Sequence, residues 1–314
     1  MKKLGEILAV ILILVLITVG CIYVYKVLTA TETDIGAEQE IEKSNIMFTL
    51  DNYPRVDASS ATQPLADAFV AAFTGEDNIP EEWYDYTKTH QAYVKLIDKK
   101  ADVIIVTQPS DDELNYAKEK GVELEVTPVV NEGFVFYVNA NNPVNNLTLG
   151  QIKKIYSGKT VNWNEVGGNA GPIRPFQRPE NSGSQTGMLS LVMKETPLMK
   201  PLKEDLIETM ESIINLVADY DNGENAIGYS YYYYATTIFE TIDDAISSKI
   251  KLLAIDGVKP SNETIKNGEY SLNTSYYIVT RKNDTSENAQ KLVNAMLSAE
   301  GQKIAEEAGY VGVK

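Results

Sequence analysis

The run Arg178-Pro179-Glu180-Asn181-Ser182-Gly183-Ser184-Gln185-Thr186-Gly187 holds the residue types best suited to capturing an anion. Arg178 offers a planar, always charged fork of donors that matches a phosphate or a carboxylate. Ser182, Ser184 and Thr186 add hydroxyl donors, and Gly183 lets a ligand come close to the backbone. Ser182 and Gln185 stand at capping-box spacing, and Met188, Leu191 and Val192 follow at helical spacing, so a helix is predicted to start here. A helix start presents unpaired N–H groups and a partial positive charge, both favourable to an anion. The same residues would also serve as a Gly/Ser-rich loop that caps a helix, with Arg178 on the surface. The stretch by itself leaves both readings open.

A second polar turn stands at Ser59-Ser60-Ala61-Thr62-Gln63-Pro64. Leu65, Ala66, Ala68, Phe69, Ala72 and Phe73 follow at helical spacing, and Pro64 suits a first helical turn. This is either a second anion-binding helix start or an ordinary N-cap.

The elements that must position these turns alternate along the chain. Strands are predicted at Asp102–Val106, Phe134–Val138, Ala226–Tyr234, Ile250–Ile255 and Tyr276–Thr280. Helices are predicted at Ala92–Asp98, Leu114–Lys120 (stopped by Gly121), Leu149–Tyr156 and Lys203–Asp219. A single amphipathic helix is predicted over Glu287–Ala308. Such alternation implies an α/β fold with parallel sheet. The aromatic block Tyr231–Tyr234 suits stacking on a ligand, or packing in a hinge or core.

The chain has 314 residues, 44% hydrophobic and 23% charged, which suits one large or two modest domains. One Cys and one His exclude an internal disulfide framework and argue against a structural zinc site, and no cofactor is expected. The formal net charge of -16 argues against nucleic acid as a partner and against long-range steering of anions. An anion site here must act through short hydrogen bonds in a cleft.

The N-terminus predicts residence outside the cytoplasm. Lys2 and Lys3 precede an uncharged apolar run from Ile7 to Tyr25, close to the length that crosses a bilayer. Residues 1–28 read as an uncleaved membrane anchor ahead of a lipoprotein signal with Cys21 as lipid acceptor, or a cleaved signal. Residues 29–44 read as a polar, acidic linker. Each alternative leaves the body extracytoplasmic.

Arg-x-Glu-x-Ser-Gly-Ser at 178–184, followed by a helix, resembles the anion loop of the phosphate-binding proteins that serve bacterial phosphate ABC transporters. Asn162–Gly168, Ala226–Tyr229 and Ala101–Pro109 are similar to that family's other segments, in its order, and the likeness runs from about Asn45 to the end. It implies a two-lobed periplasmic-binding-protein-like fold of type II. Each lobe would be a mainly parallel sheet flanked by helices, with the ligand cleft between them. Residues 45–138 with 232–314 would form the first lobe and 139–231 the second, with hinges near Val135–Asn139 and Gly228–Tyr232.

The resemblance also implies the site: Ser60, Thr62 and Gln63 at one helix start, Thr89 or His90 at another, Thr107 after a strand, and Arg178, Ser182, Gly183 and Ser184 in the loop. Thr107 departs from the family, which has there an Asp that accepts the proton of hydrogen phosphate. A carboxylate repels a fully ionised anion such as sulfate, whereas a threonine hydroxyl donates or accepts. Discrimination against sulfate therefore requires Asp57 or another acid to move into that role. The implied function is capture of phosphate, or a related oxyanion, and its delivery to ABC permease subunits, without catalysis. Two alternatives stand beside it. One is a membrane-tethered sensor or binding module for another ligand. The other is a serine hydrolase with Ser182 or Ser184 as nucleophile and His90 as base, although no G-x-S-x-G elbow is present.

Overall fold

The computed structural model describes residues 46–76, 78–84, 86–219, 223–238, 246 and 248–313. Residues 1–28, Cys21 among them, and the linker 29–44 lie outside these. Among the described residues no helix is long and apolar enough to cross a membrane.

Strand β1 (Val56–Ala58) leads through the Ser59 turn into helix α1 (Gln63–Thr74), which buries Leu65, Ala66, Phe69, Val70 and Phe73. Helix α2 (Thr89–Ile97) and strand β2 (Val103–Val106) follow; every residue of β2 is buried, as its unbroken apolar run requires. Helix α3 (Asp111–Glu119) opens on a capping box from Ser110 to Glu113. Strand β3 (Leu124–Asn139) runs for 16 residues, and strand β4 (Asn146–Leu147) and helix α4 (Leu149–Tyr156) come next. Strand β5 (Arg174–Pro175) precedes the anion loop, and helix α5 (Gly183–Gly187) continues into a wider π-helical stretch, Met188–Met193. Helix α6 (Met210–Asp219), strand β6 (Ala226–Tyr231) and the short strands β7 (Ile250–Leu252) and β8 (Ala254–Ile255) follow. The chain closes with helix α7 (Asn262–Lys266), strand β9 (Asn273–Arg281), helices α8 (Glu287–Met296) and α9 (Ala299–Glu307), and strand β10 (Val311–Gly312).

The strands form an eight-stranded sheet of order β1-β2-β9-β3-β6-β5, with β7 and β10 also on β3. The α/β two-lobed class holds, but the sheet is mixed rather than mainly parallel. Among the described strands, parallel pairing joins β1 to β2, β5 to β6 and β4 to β8. The reason is β3. Its first part pairs antiparallel with β9, and its last part pairs antiparallel with β6 and β7, so one strand serves both lobes. The expected strand Phe134–Val138 is only the end of β3, which also runs through Pro128. The register shift between Pro128 and Val130 accommodates it. Residues 250–255 pair with 137–139 and 146–147.

The expected single C-terminal helix is two. Ser298 caps α9 by accepting from the Gly301 amide at 3.1 Å. A Cβ at Gly301 would lie 2.2 Å from the Ala295 carbonyl, so the tight corner between α8 and α9 requires glycine. The Lys203–Asp219 run is likewise helical only from Met210, after a 3₁₀ turn at Lys203–Asp205.

Candidate anion-binding cleft

The start of α2, the end of β2 and the start of α5 meet at one cavity of about 310 Å³. Ser60, Thr89, His90 and Thr107 line it from one side, and Arg178, Ser182, Gly183 and Ser184 from the other. Thr62 and Gln63 are not among its lining residues. Thr62 is fully buried; its hydroxyl donates to the Ile105 carbonyl and accepts from the Ser59 amide at 3.0 Å. It ties the turn to β2 and leaves Ser59, Ser60 and Ala61 to face the cavity.

The anion loop is held from beneath. Ser182 Oγ accepts from the Gln185 amide, as the cap predicted. Gln185 does not return the bond to the Ser182 backbone. Its Oε1 accepts from the Tyr229 hydroxyl and, at 3.3 Å, from the Arg178 amide. The capping box is thus half formed, and its second half anchors Arg178 to β6. Asn181 takes φ 62°, a left-handed conformation that asparagine tolerates, to turn the chain into α5.

Arg178 is 7% exposed, and burial lowers its pKa from the ordinary value. Nη1 donates to Ser184 Oγ at 3.2 Å and Nη2 to the Glu208 carbonyl at 2.8 Å, while Nε has no protein partner. Thr107 Oγ1, 3% exposed, has none either; the Tyr231 hydroxyl lies beside it but donates to the Gly183 carbonyl at 3.1 Å. Buried polar atoms are nearly always paired, so two unpaired ones on opposite walls of one cavity point to a ligand that completes them. Those walls hold hydroxyls and a guanidinium, which suits an oxyanion.

Asp57 does not take the place of the missing carboxylate at Thr107. Asp57 is buried and fully engaged. Its Oδ1 accepts from the Ala58 and Thr87 amides, each at 2.7 Å. Its Oδ2 accepts from Thr87 Oγ1 at 2.6 Å and pairs with Lys95 at 3.0 Å. His90 is also engaged: Nδ1 lies 3.1 Å from Glu113 Oε1, a carboxyl that burial pushes up in pKa. Among the described residues no hydrogen bond joins His90 to Ser182 or Ser184, whose hydroxyls are used for the helix cap and Arg178. The nucleophile–base pairing that a hydrolase needs is not assembled.

Residues 49–300 match the family model of the PBP superfamily domain. The chain belongs to the PBP superfamily. It is 23% identical over 262 residues to the phosphate-binding protein PstS of Borreliella burgdorferi, covering 82% of this chain and 89% of that one. It is 30% identical over 182 residues to the PstS of Bacillus subtilis, covering 58% and 55%. Its fold is similar to that of an ABC-type phosphate transport receptor from Vibrio cholerae, with a TM-score of 0.60 at 18% identity, covering 82% and 98%.

In this PBP-superfamily chain the crossing strands run side by side, with Val135 opposite Ser230 and Phe136 opposite Tyr229. Two side-chain bonds join the segments that carry the two walls: Asn181 Nδ2 to Asp112 Oδ2 at 2.9 Å, and Gln108 Nε2 to Ser190 Oγ. At its floor, a Cβ on Gly183 would lie 2.7 Å from Thr107 Oγ1 and 2.8 Å from Thr89 Oγ1. Gly183 is what allows the two walls to touch. We expect Gly183→Ala to hold the walls apart and weaken oxyanion binding about tenfold or more, an overpacking cost of about 1–3 kcal/mol, read by calorimetric titration with phosphate. Wild-type affinity in that variant would mean that the contact is unimportant for binding.

Sequence reasoning missed Glu208, Thr209 and Met210 as lining residues. They reach the cleft because Gln177 exchanges backbone bonds with Asp205 and Ile207, each at 2.8 Å, which lays the next residues beside Arg178. Nothing local in the sequence marks that pairing. Tyr231 and Tyr234 also line the cavity, whereas Tyr233 stacks on Tyr310 with ring centroids 3.7 Å apart. The aromatic block therefore contributes both to the cavity lining and to packing.

Proposed function

We propose that this protein is an extracytoplasmic solute-binding protein that captures phosphate between its lobes and delivers it to the permease subunits of an ABC importer, without chemistry. The observation that carries the reading is that Arg178 and Thr107, which line one cavity, each keep a buried polar atom, Nε and Oγ1, without a protein hydrogen bond of good geometry. Thr89, Gly183 and Ser184 complete the anion's contacts, with Ser60, His90 and Ser182 around them. Closing the walls over the anion removes water and strengthens each bond. The N-terminal apolar segment tethers the protein to the membrane. Its name-bearing relatives are phosphate-binding proteins, which supports the choice of phosphate.

The test is calorimetric titration of the full chain, freed of carried-over ligand, with phosphate and then sulfate. Binding of phosphate is expected; no heat with either anion would sink the oxyanion reading and move the assignment to a tethered module for another ligand. Because Thr107 supplies a hydroxyl where a carboxylate would reject ionised anions, sulfate is expected to compete. Thr107→Asp should retain phosphate, sharing its proton, while sulfate affinity falls by about two orders of magnitude, since opposed like charges cost several kcal/mol. Equal loss of both anions in that variant would show that Thr107 does not set selectivity.

A further inference from the structure

The cleft is larger than the ion it is proposed to hold. A five-atom oxyanion needs roughly the room of three waters, about 90 Å³ at ~30 Å³ each. The cavity of about 310 Å³ leaves most of its space unclaimed. Besides its hydroxyl donors, the cavity is lined by Met210 at the start of α6 and by Tyr231 and Tyr234. Tyr231 is fixed, with its ring 5.5 Å from Phe134 and 5.3 Å from Tyr276. Tyr234 is buried and near enough to Arg178 to feel its charge. Met210 Sδ accepts from Ser230 Oγ at 3.2 Å and brings a pliable thioether to the wall.

The space does not suit a second anion. The exposed residues Glu180 and Glu208 line the same cavity, and their carboxylates would oppose another negative group. An aromatic and thioether wall with acids nearby suits a short organic group, neutral or cationic.

We propose that the cleft accepts singly substituted phosphorus oxyanions, phosphonates or phosphate monoesters with a short organic group, their anionic head on Arg178 and Thr107 and their substituent against Met210, Tyr231 and Tyr234. This inference rests on the oxyanion reading above and specifies its ligand class. The probes are inorganic phosphate, methylphosphonate, 2-aminoethylphosphonate, glycerol 3-phosphate and pyrophosphate. Each is titrated calorimetrically into the ligand-free full chain. The expected result is that at least one of the three organic ligands binds within thirtyfold of phosphate, and pyrophosphate binds more weakly than that ligand. Phosphate binding with all three organic ligands more than thirtyfold weaker would overturn the proposal and make the extra space a water-filled vestibule. Pyrophosphate binding as well as the best organic ligand would overturn the commitment to an organic group. Silence from phosphate and organic ligands alike would remove the oxyanion reading itself, and this inference with it.

Discussion

Replacing Arg178 with methionine should reduce phosphate affinity by about thirtyfold or more and leave the protein no less stable. Removing the charged partner from a buried, hydrogen-bonded ion contact costs about 2–5 kcal/mol, and ten-fold follows from each 1.4. Arg178 is the cationic side chain buried in the cleft, and Nε is the nitrogen without a protein partner. Stability should respond differently. Among the described residues no carboxylate forms an ion pair with Arg178, and burial already opposes its charge. The fold therefore gains little from it beyond the bonds to Ser184 and the Glu208 carbonyl. An apolar side chain of similar length relieves the desolvation, which offsets those two bonds. Calorimetry and thermal melting on the same preparation separate the effects. A methionine variant that binds phosphate within tenfold of wild type would remove Arg178 from the site. A large fall in melting temperature would make its role structural.

Glu132→Gln should stabilise the protein at pH 8 and flatten its pH dependence. Glu132 is 2% exposed and lies on β3. Its Oε1 accepts from the Gly133 amide at 2.8 Å and the Tyr233 amide at 3.3 Å, so one carboxyl holds both crossing segments. The neighbouring groups that bear on its charge are Tyr231, Tyr233, Tyr276 and Tyr310, and burial raises its pKa from 4.5 to about 7. The folded state thus favours the protonated acid. The stability this contributes is full below about pH 4.5, where the unfolded chain is also protonated, and is lost as pH rises through about 7. Above that range the buried carboxylate costs about 3 kcal/mol. Glutamine keeps an acceptor for the two amides and carries no charge. We expect wild type and variant to melt alike near pH 5, and the variant to melt roughly 5–10 °C higher at pH 8. Parallel melting curves across that range would show that Glu132 ionises freely in the folded protein.

Much of this protein was legible locally. The helix Leu149–Tyr156 has the predicted bounds, and the strand over Asp102–Val106 loses only its first residue. Ser182 caps the helix it was expected to cap, because a cap depends on residues three apart. The likeness of ordered segments to one family carried the two-lobed α/β class, and all of its implied site residues but Thr62 and Gln63 line the cleft.

What the sequence left open depended on partners distant in the chain. Thr62 sits in the predicted turn, yet its hydroxyl is spent on the Ile105 carbonyl of β2. Asp57 stood ready as a substitute acid until Thr87 and Lys95 occupied it. Glu208–Met210 enter the cleft only through backbone bonds between Gln177 and residues 205 and 207. The mixed sheet follows from one strand serving both lobes, a pairing that periodicity does not encode. By itself the sequence determined the type of many elements, where several helices start, and that an arginine and small hydroxyl residues stand at such starts. Tertiary structure alone decided which of those donors stay unpaired and face one cavity. Pairing is a property of neighbours in space, and those neighbours here lie tens of residues apart.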